Sequence, residues 1–233
     1  MSFAILGENG NLTNERATDH AKILHIISSY KKARPDGQIL ISNYGEYDDN
    51  YVNASKNSQN FAEIVLLYLK KYEIDGFDLD WESVRINDLS NELINLLKTC
   101  KYIFKNKYKL SHAIWPGVHS PKTVGMLANL VDEINIMSYE MSISSLEFLI
   151  NQYNQSGFPY EKMVLGMETE TRNENNETIC GKIDLVNKYN LRGIFVWRLD
   201  NDDIPIKSGI QVGPPSFRTV KMLYGALTRY GWI

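Results

Sequence analysis

Short apolar runs alternate along this chain with stretches whose apolar residues recur at helical spacing, the pattern of parallel strands joined by crossover helices. The runs predict strands at 2–6, 37–43, 76–82, 108–115, 132–139, 161–168 and 192–199. Between them Phe61, Ile64, Val65 and Tyr68 share one helix face, as do Leu89, Leu93, Leu96, Cys100 and Phe104. Those stripes read as core packing. Ser120 before Pro121 marks one helix start, and Ser144 with Glu147 three residues on marks another. A last helix at about 216–228 follows Gly213-Pro214-Pro215-Ser216.

The strand-and-helix unit recurs about every 30 residues, which leaves a (β/α) barrel and an open doubly wound sheet as candidate architectures. No G-x-G-x-x-G and no G-x-x-x-x-G-K-[ST] follows a predicted strand, so the nucleotide role of the open sheet loses its support and the barrel is favoured. No linker or low-complexity tract divides the chain, and residues 1–233 read as one domain.

One run carries more than packing. In Asp75-Gly76-Phe77-Asp78-Leu79-Asp80-Trp81-Glu82 the period-two geometry of a strand sends Asp78, Asp80 and Glu82 to one face and Phe77, Leu79 and Trp81 to the other. A solvated strand face also alternates in this way. Three carboxylates spaced about 7 Å apart repel one another, however, and an enclosing site would raise at least one pKa into the range of a general acid. In a barrel these residues climb the interior towards the C-terminal mouth, where chemistry collects.

Composition narrows the partners. A net charge of −3 with dispersed lysines gives no field for nucleic acid. No window reaches the apolar length of a membrane span, and no basic segment followed by an apolar stretch opens the chain, which reads as soluble and without a leader as given. The two cysteines imply no disulfide framework, and Cys100 reads as a buried thiol. The four histidines lack paired ligand spacing, so no metal and no cofactor is expected.

The acidic run resembles D-G-x-D-x-D-x-E, the signature of the family 18 glycoside hydrolases, the chitinases and their relatives, with every acidic position filled. Further segments resemble that family in order. Ile41-Ser42-Asn43-Tyr44-Gly45 is similar to the end of its third strand, Met137-Ser138-Tyr139-Glu140 to its sixth, and Gly193-Ile194-Phe195-Val196-Trp197 to its eighth. The resemblance implies an α/β TIM-type (β/α)8 barrel whose first strand is missing here, since Met1–Leu6 is similar to the second and only seven strands are found. Open edges would then invite a homodimer, covering by Tyr230-Gly231-Trp232-Ile233, or instability.

The implied activity is hydrolysis of N-acetylglucosamine polymers with retention, the substrate's acetamido oxygen acting as nucleophile, an exception to the two-carboxylate scheme. The resemblance assigns Glu82 as acid, Asp80 as the group that orients the acetamido nitrogen, Asp78 as the residue holding Asp80, and Tyr139 as donor to the acetamido oxygen. It assigns Trp197 as the floor under the sugar, with Met137 packing around the acetamido pocket and Ser42 bonding the acid cluster. Tyr44, Tyr47, Tyr51 and Trp115 are candidates for extending the sugar groove, each with an ordinary structural role as an equal reading. Glu140 replaces the family's usual aspartate, and Ser83 stands where many chitinases have tyrosine. About 24 residues separate the last two strands, too few for a groove-deepening insertion, which points to an open groove and internal cleavage. An endo-β-N-acetylglucosaminidase of N-glycan cores, a chitin-binding lectin and a peptidoglycan hydrolase stay open as other readings.

Overall fold

The computed structural model describes residues 2–7, 12–13, 20–44, 47–169, 174–202, 206–207, 210–211 and 214–232. They form two compact units, Met1–Ile134 and Asn135–Ile233. In the first, β1 (Ser2–Leu6), β2 (Leu12–Thr13), α1 (His20–Ala33), β3 (Leu40–Tyr44), α2 (Asp48–Lys56), α3 (Ser58–Tyr72), β4 (Gly76–Asp80), α4 (Ser90–Phe104), β5 (Lys109–Ile114) and α5 (Pro121–Met126) follow one another. The strand order is β2-β1-β3-β4-β5. Parallel pairs join β1 to β3, β3 to β4 and β4 to β5, while β2 runs antiparallel to β1.

The α4 stripe read from the sequence is the packed face: Leu93, Leu96, Cys100 and Phe104 are buried, as is Leu89 just before the helix. On α3 the packed face is turned slightly from the one read, with Phe61, Val65, Leu69 and Tyr72 buried and Ile64 and Tyr68 half-buried. Burial drives the Cys100 thiol pKa upward, so it stays protonated as a small apolar side chain. Both helices stop at a residue in the left-handed conformation, Glu73 and Lys105, whose N–H groups satisfy carbonyls of the last turn. At the start of α5 the Ser120 side chain accepts from the Thr123 N–H ahead of Pro121, as expected.

β6 (Glu133–Ile136) lies across the division between the units. In the second unit α6 (Ile143–Gln155), β7 (Met163–Glu168), α7 (Asn176–Tyr189), β8 (Gly193–Trp197), the short pair β9 (Ile206–Lys207) and β10 (Ile210–Gln211), and α8 (Arg218–Arg229) complete the chain. The order there is β6-β7-β8, with β7 and β8 paired in parallel. Met167 of β7, Ile179 and Ile183 of α7 and Ala226 of α8 form its core. The expected strands are thus β1 and β3 to β8, seven among the described residues; β1 has the expected bounds, β3 starts later and runs one residue further, and the other five are trimmed.

Three local expectations change. The N-cap of α6 is Ser142, which accepts from the Ser145 N–H, and not Ser144, because the first hydroxyl of the serine cluster already closes the turn. The edge of β1 is not bare, since Ile5 and Leu6 pair with Thr13 and Leu12 of β2. The described part of the tail bonds to α7 and not to a strand: Tyr230 donates to Asp184 and Trp232 to Asn187. Ile233 lies outside the described residues. No described helix is long and apolar enough to cross a membrane.

Candidate active site

The sheet register builds the acid cluster of the first unit. Ser42 of β3 pairs with Asp78 of β4, and Asp78 pairs with Ser111 of β5. Both serines therefore face the same way as Asp78. Ser42 donates to one carboxylate oxygen of Asp78 at 2.9 Å and Ser111 to the other at 2.5 Å. Two residues on, Tyr44 pairs with Asp80 and stands half-buried on the acid face.

Asp80 is 7% exposed, and one of its carboxyl oxygens has no hydrogen-bond partner. Burial, then the charges of Asp78 and Glu82, then a hydrogen bond with Glu82 push its pKa up to about 8. Glu82 presents an exposed surface beyond the end of β4. The protein around its carboxyl still raises its pKa, with the Asp80 hydrogen bond opposing. At neutral pH Asp80 and Glu82 form a coupled pair in which Asp80 holds a proton against its neighbour. The arrangement suits proton transfer at Glu82, with the store of that proton buried behind it.

The opposite face of β4 is apolar as read, with Phe77, Leu79 and Trp81 all buried. Tyr51 belongs there too. It is 1% exposed, stacks on Trp81 with ring centroids 4.6 Å apart and 8° between planes, and donates to the Asp80 carbonyl. A role in extending a sugar groove is excluded for it by that burial. Tyr47 and Trp115 are exposed, at 62% and 39%. Asp75 accepts from Lys31 and from the Ile39 N–H, both at 2.8 Å, which ties the start of β4 to its neighbours and removes it from the acid cluster.

Two histidines lie beneath the end of β5. The Trp115 N–H donates to Nδ1 of His119 at 3.0 Å, His119 Nε2 lies 3.3 Å from His112 Nε2, and His112 Nδ1 lies 2.6 Å from the Leu79 carbonyl. With His119 accepting at Nδ1, its Nε2 carries the proton and donates to His112, whose Nδ1–H donates to Leu79. One direction of donation runs through both neutral rings. Burial lowers both pKa values, that of His119 to about 3. Among the described residues no group of three or more His, Cys, Asp or Glu side chains is placed to hold a metal ion.

In the second unit Met137 and Tyr139 follow the end of β6 and are half-buried, while Glu140 is exposed and holds a left-handed backbone with φ 58°. The Tyr139 ring meets Phe195 edge-on at 6.1 Å and packs against Gly166, where a Cβ would fall 2.9 Å from the Tyr139 ring and 2.8 Å from the Ile136 carbonyl. Ser138 Oγ and the Gly166 backbone bind each other at 3.0 Å, so Tyr139 follows a residue pinned to β7. Trp197 ends β8 half-buried, with the Arg198 guanidinium over its ring at 6.0 Å and a cis peptide between the two. Thr169 pins that end, its N–H donating to the Trp197 carbonyl at 2.8 Å.

Sequence reasoning missed Ser111, Asp48 and the inward use of Tyr51. Ser111 left one signal, a hydroxyl inside the otherwise apolar stretch Leu110 to Ile114 apart from His112. Asp48 accepts from the Trp81 indole N–H at 2.9 Å and from the Ser83 hydroxyl at 2.8 Å.

A family model described as "Glycosyl hydrolases family 18" matches residues 1–178. An endochitinase from Brugia malayi is 22% identical over 194 residues, covering 66% of this chain and 38% of that protein. The chain spans about two fifths of the length of the curated relatives it matches. A chitinase-like agglutinin from Robinia pseudoacacia matches with a TM-score of 0.76 at 14% identity, over 97% of this chain and 91% of that one. A GH18 chitinase from Cycas revoluta in complex with (GlcNAc)3 matches with a TM-score of 0.73 at 15% identity, over 86% of this chain and 87% of that one. At these identities the likeness carries the fold, the α/β class of the TIM-type barrel.

Proposed function

We propose that this chain, which belongs to the glycosyl hydrolases family 18, cleaves β-1,4 bonds between N-acetylglucosamine units with retention of configuration, using the substrate's own acetamido group as nucleophile. The observation that carries the reading is the Asp80–Glu82 pair. A buried carboxyl kept protonated to about pH 8 stands hydrogen-bonded to a carboxyl that reaches solvent, behind an Asp78 held by two serines.

In this reading Glu82 protonates the glycosidic oxygen as the bond to C1 breaks. The acetamido oxygen attacks C1 from the other side and forms an oxazolinium ion, which water opens as Glu82 takes the proton back. Asp80 orients the acetamido N–H and balances its growing positive charge, its own proton passing towards Asp78. Tyr139 donates to the acetamido oxygen and holds it at attacking distance. Trp197 offers an aromatic plane to the sugar's C–H face. Met137 packs around the acetamido group, and Glu140 reaches one methylene further to the sugar than an aspartate would. The roles of Tyr139, Trp197, Met137 and Glu140 rest on their match to the family's strand ends. Residues 1–233 then belong to one catalytic domain, whose substrate is chitin or its oligosaccharides, cut internally.

Mass spectrometry of chitopentaose incubated with this chain tests the reading, with Glu82→Gln as matched control. Di- and trisaccharide are expected from the parent and not from the variant. The likeness to an agglutinin supports one other reading, carbohydrate binding without turnover. Calorimetric binding of chitotriose by a parent that cleaves nothing would favour it.

A further inference from the structure

We infer that Asp48 is the positioning residue for Glu82, gripping with one carboxylate the residues on either side of the acid; the inference rests on the function proposed for Glu82. The strand hydrogen bonds end at Asp80, so residues 81–83 have no sheet to hold them. One carboxylate oxygen of Asp48 accepts the Trp81 indole N–H at 2.9 Å, and the other accepts the Ser83 hydroxyl at 2.8 Å. Trp81 and Ser83 are buried, at 1% and 4%, whereas Glu82 between them is exposed. A single side chain therefore fixes both anchors of the loop that carries the acid.

The grip is itself anchored. Asp48 opens α2, where the N-terminal end of the helix favours a negative charge. Tyr51 lies three residues on and so on the same helix face. It stacks on the Trp81 ring and donates to the Asp80 carbonyl, while Asn43 donates to the Tyr51 hydroxyl at 3.2 Å. The Ser83 hydroxyl in turn accepts from the Arg85 N–H at 3.0 Å, which starts the turn that leaves the site. From Asp80 to Ser83 the residues flanking the acid are all bonded to β3 or α2. Ser83 supplies the hydroxyl half of the grip and Trp81 the indole half.

The test compares the parent with Asp48→Ala, Asp48→Asn and Ser83→Ala on chitopentaose, with carboxyl-carbon NMR titration of Asp80 and Glu82 alongside. A misplaced acid costs turnover more than binding, so Asp48→Ala is expected to lower kcat about 30-fold with KM within about twofold. Asp48→Asn, which keeps an acceptor for the indole, should recover most of that loss. Ser83→Ala should lose about fivefold in kcat at unchanged Tm, and it decides the matter if Asp48→Ala fails to fold. In the titration, the mutual perturbation of Asp80 and Glu82 should weaken in Asp48→Ala. Unchanged kcat and unchanged titration in Ser83→Ala, with Asp48→Ala either keeping parental kcat and titration or losing only folded protein, overturn the inference. An inactive parent defeats the hydrolase reading alone, because the titration still reports whether the acid is held.

Discussion

The Ser111 hydroxyl donates to a carboxylate oxygen of Asp78 at 2.5 Å from the residue that β5 places in register beside it. Ser42 mirrors that contact from β3 at 2.9 Å, so Asp78 is clamped between its two neighbouring strands at one level of the sheet. A carboxylate fixed on both oxygens cannot rotate when a proton or substrate arrives, and that preorganisation is what a displaced hydroxyl would forfeit. Ser111→Ala is expected to lower kcat on chitopentaose about tenfold, and Ser111→Thr, which keeps a hydroxyl on the same carbon, to restore most of it. Steady-state kinetics of the two variants check this; equal rates in parent and Ser111→Ala would show that one clamp suffices.

Asp80 makes stability fall as pH rises. The folded chain holds its proton to about pH 8, whereas the unfolded carboxyl releases it near its ordinary value of 3.8. Between those values the folded state binds more protons, so this contribution is fully present below about pH 4 and is lost as pH climbs through about 8. Asp80→Asn has no proton to lose. Urea unfolding at pH 5 and pH 8 should therefore show a larger fall in the parent than in the variant, and the parent's kcat/KM should decline on its alkaline side near pH 8 as the pair loses its proton. Identical slopes in the two proteins would mean that Asp80 is already ionised at pH 5.

His119 acts in the opposite direction over an overlapping range. Its pKa is lowered to about 3 by burial, then by His112, while the unfolded imidazole titrates near 6.5. Here the unfolded state takes up protons that the folded state refuses, so stability is lost as pH falls below about 6.5. At pH 5 that amounts to roughly 2 kcal/mol relative to pH 7.5. The Trp115 backbone works against this shift, its carbonyl lying 3.4 Å from His119 Nδ1, but burial and His112 outweigh it. His119→Gln should flatten the acid limb of the stability curve while leaving the alkaline limb set by Asp80. Denaturant midpoints at pH 5 and pH 7.5 separate the two, and an unchanged acid limb would show that the ring titrates normally.

What could be read beforehand followed the kind of order involved. The alternation of Asp78, Asp80 and Glu82 with Phe77, Leu79 and Trp81 is written in the chain because a strand has period two, and the burial of the apolar set follows it. Ser111 shows in the sequence only as a hydroxyl in an apolar run, because its place beside Asp78 is a matter of strand register, set by pairing over 33 residues of separation. Asp48 and Tyr51 were hidden by α2 itself, whose Asp48-Asp49-Asn50 start and Asn53 are poor helix formers with no clear apolar stripe. The sequence therefore leaves Tyr51 open between a groove aromatic and a structural one. The neutral state of His112 and His119 depends on a fold that brings two rings together across a turn, which spacing alone does not announce.

Lys182 and Glu174 test how the second unit supports Tyr139. Both are buried, at 1% and 2%, and they form an ion pair in which one Glu174 oxygen has no hydrogen-bond partner. Lys182 also donates to the Gly166 carbonyl at 2.9 Å, behind the glycine on which the Tyr139 ring rests. Its pKa is lowered by burial, against the opposing pull of Glu174 and then of Glu168. Removing one member strands a buried charge, at a cost of about 3–5 kcal/mol, whereas removing both exchanges the pair for apolar volume at little cost. Lys182→Met should therefore be the least stable variant in urea, and Lys182→Met with Glu174→Leu should regain most of the loss. Turnover should follow the Gly166 contact instead, remaining below the parent in both variants because neither returns a donor to that carbonyl. A double variant no more stable than Lys182→Met would show that the two side chains are not energetically coupled, and full turnover in it would show that Tyr139 is held without Lys182.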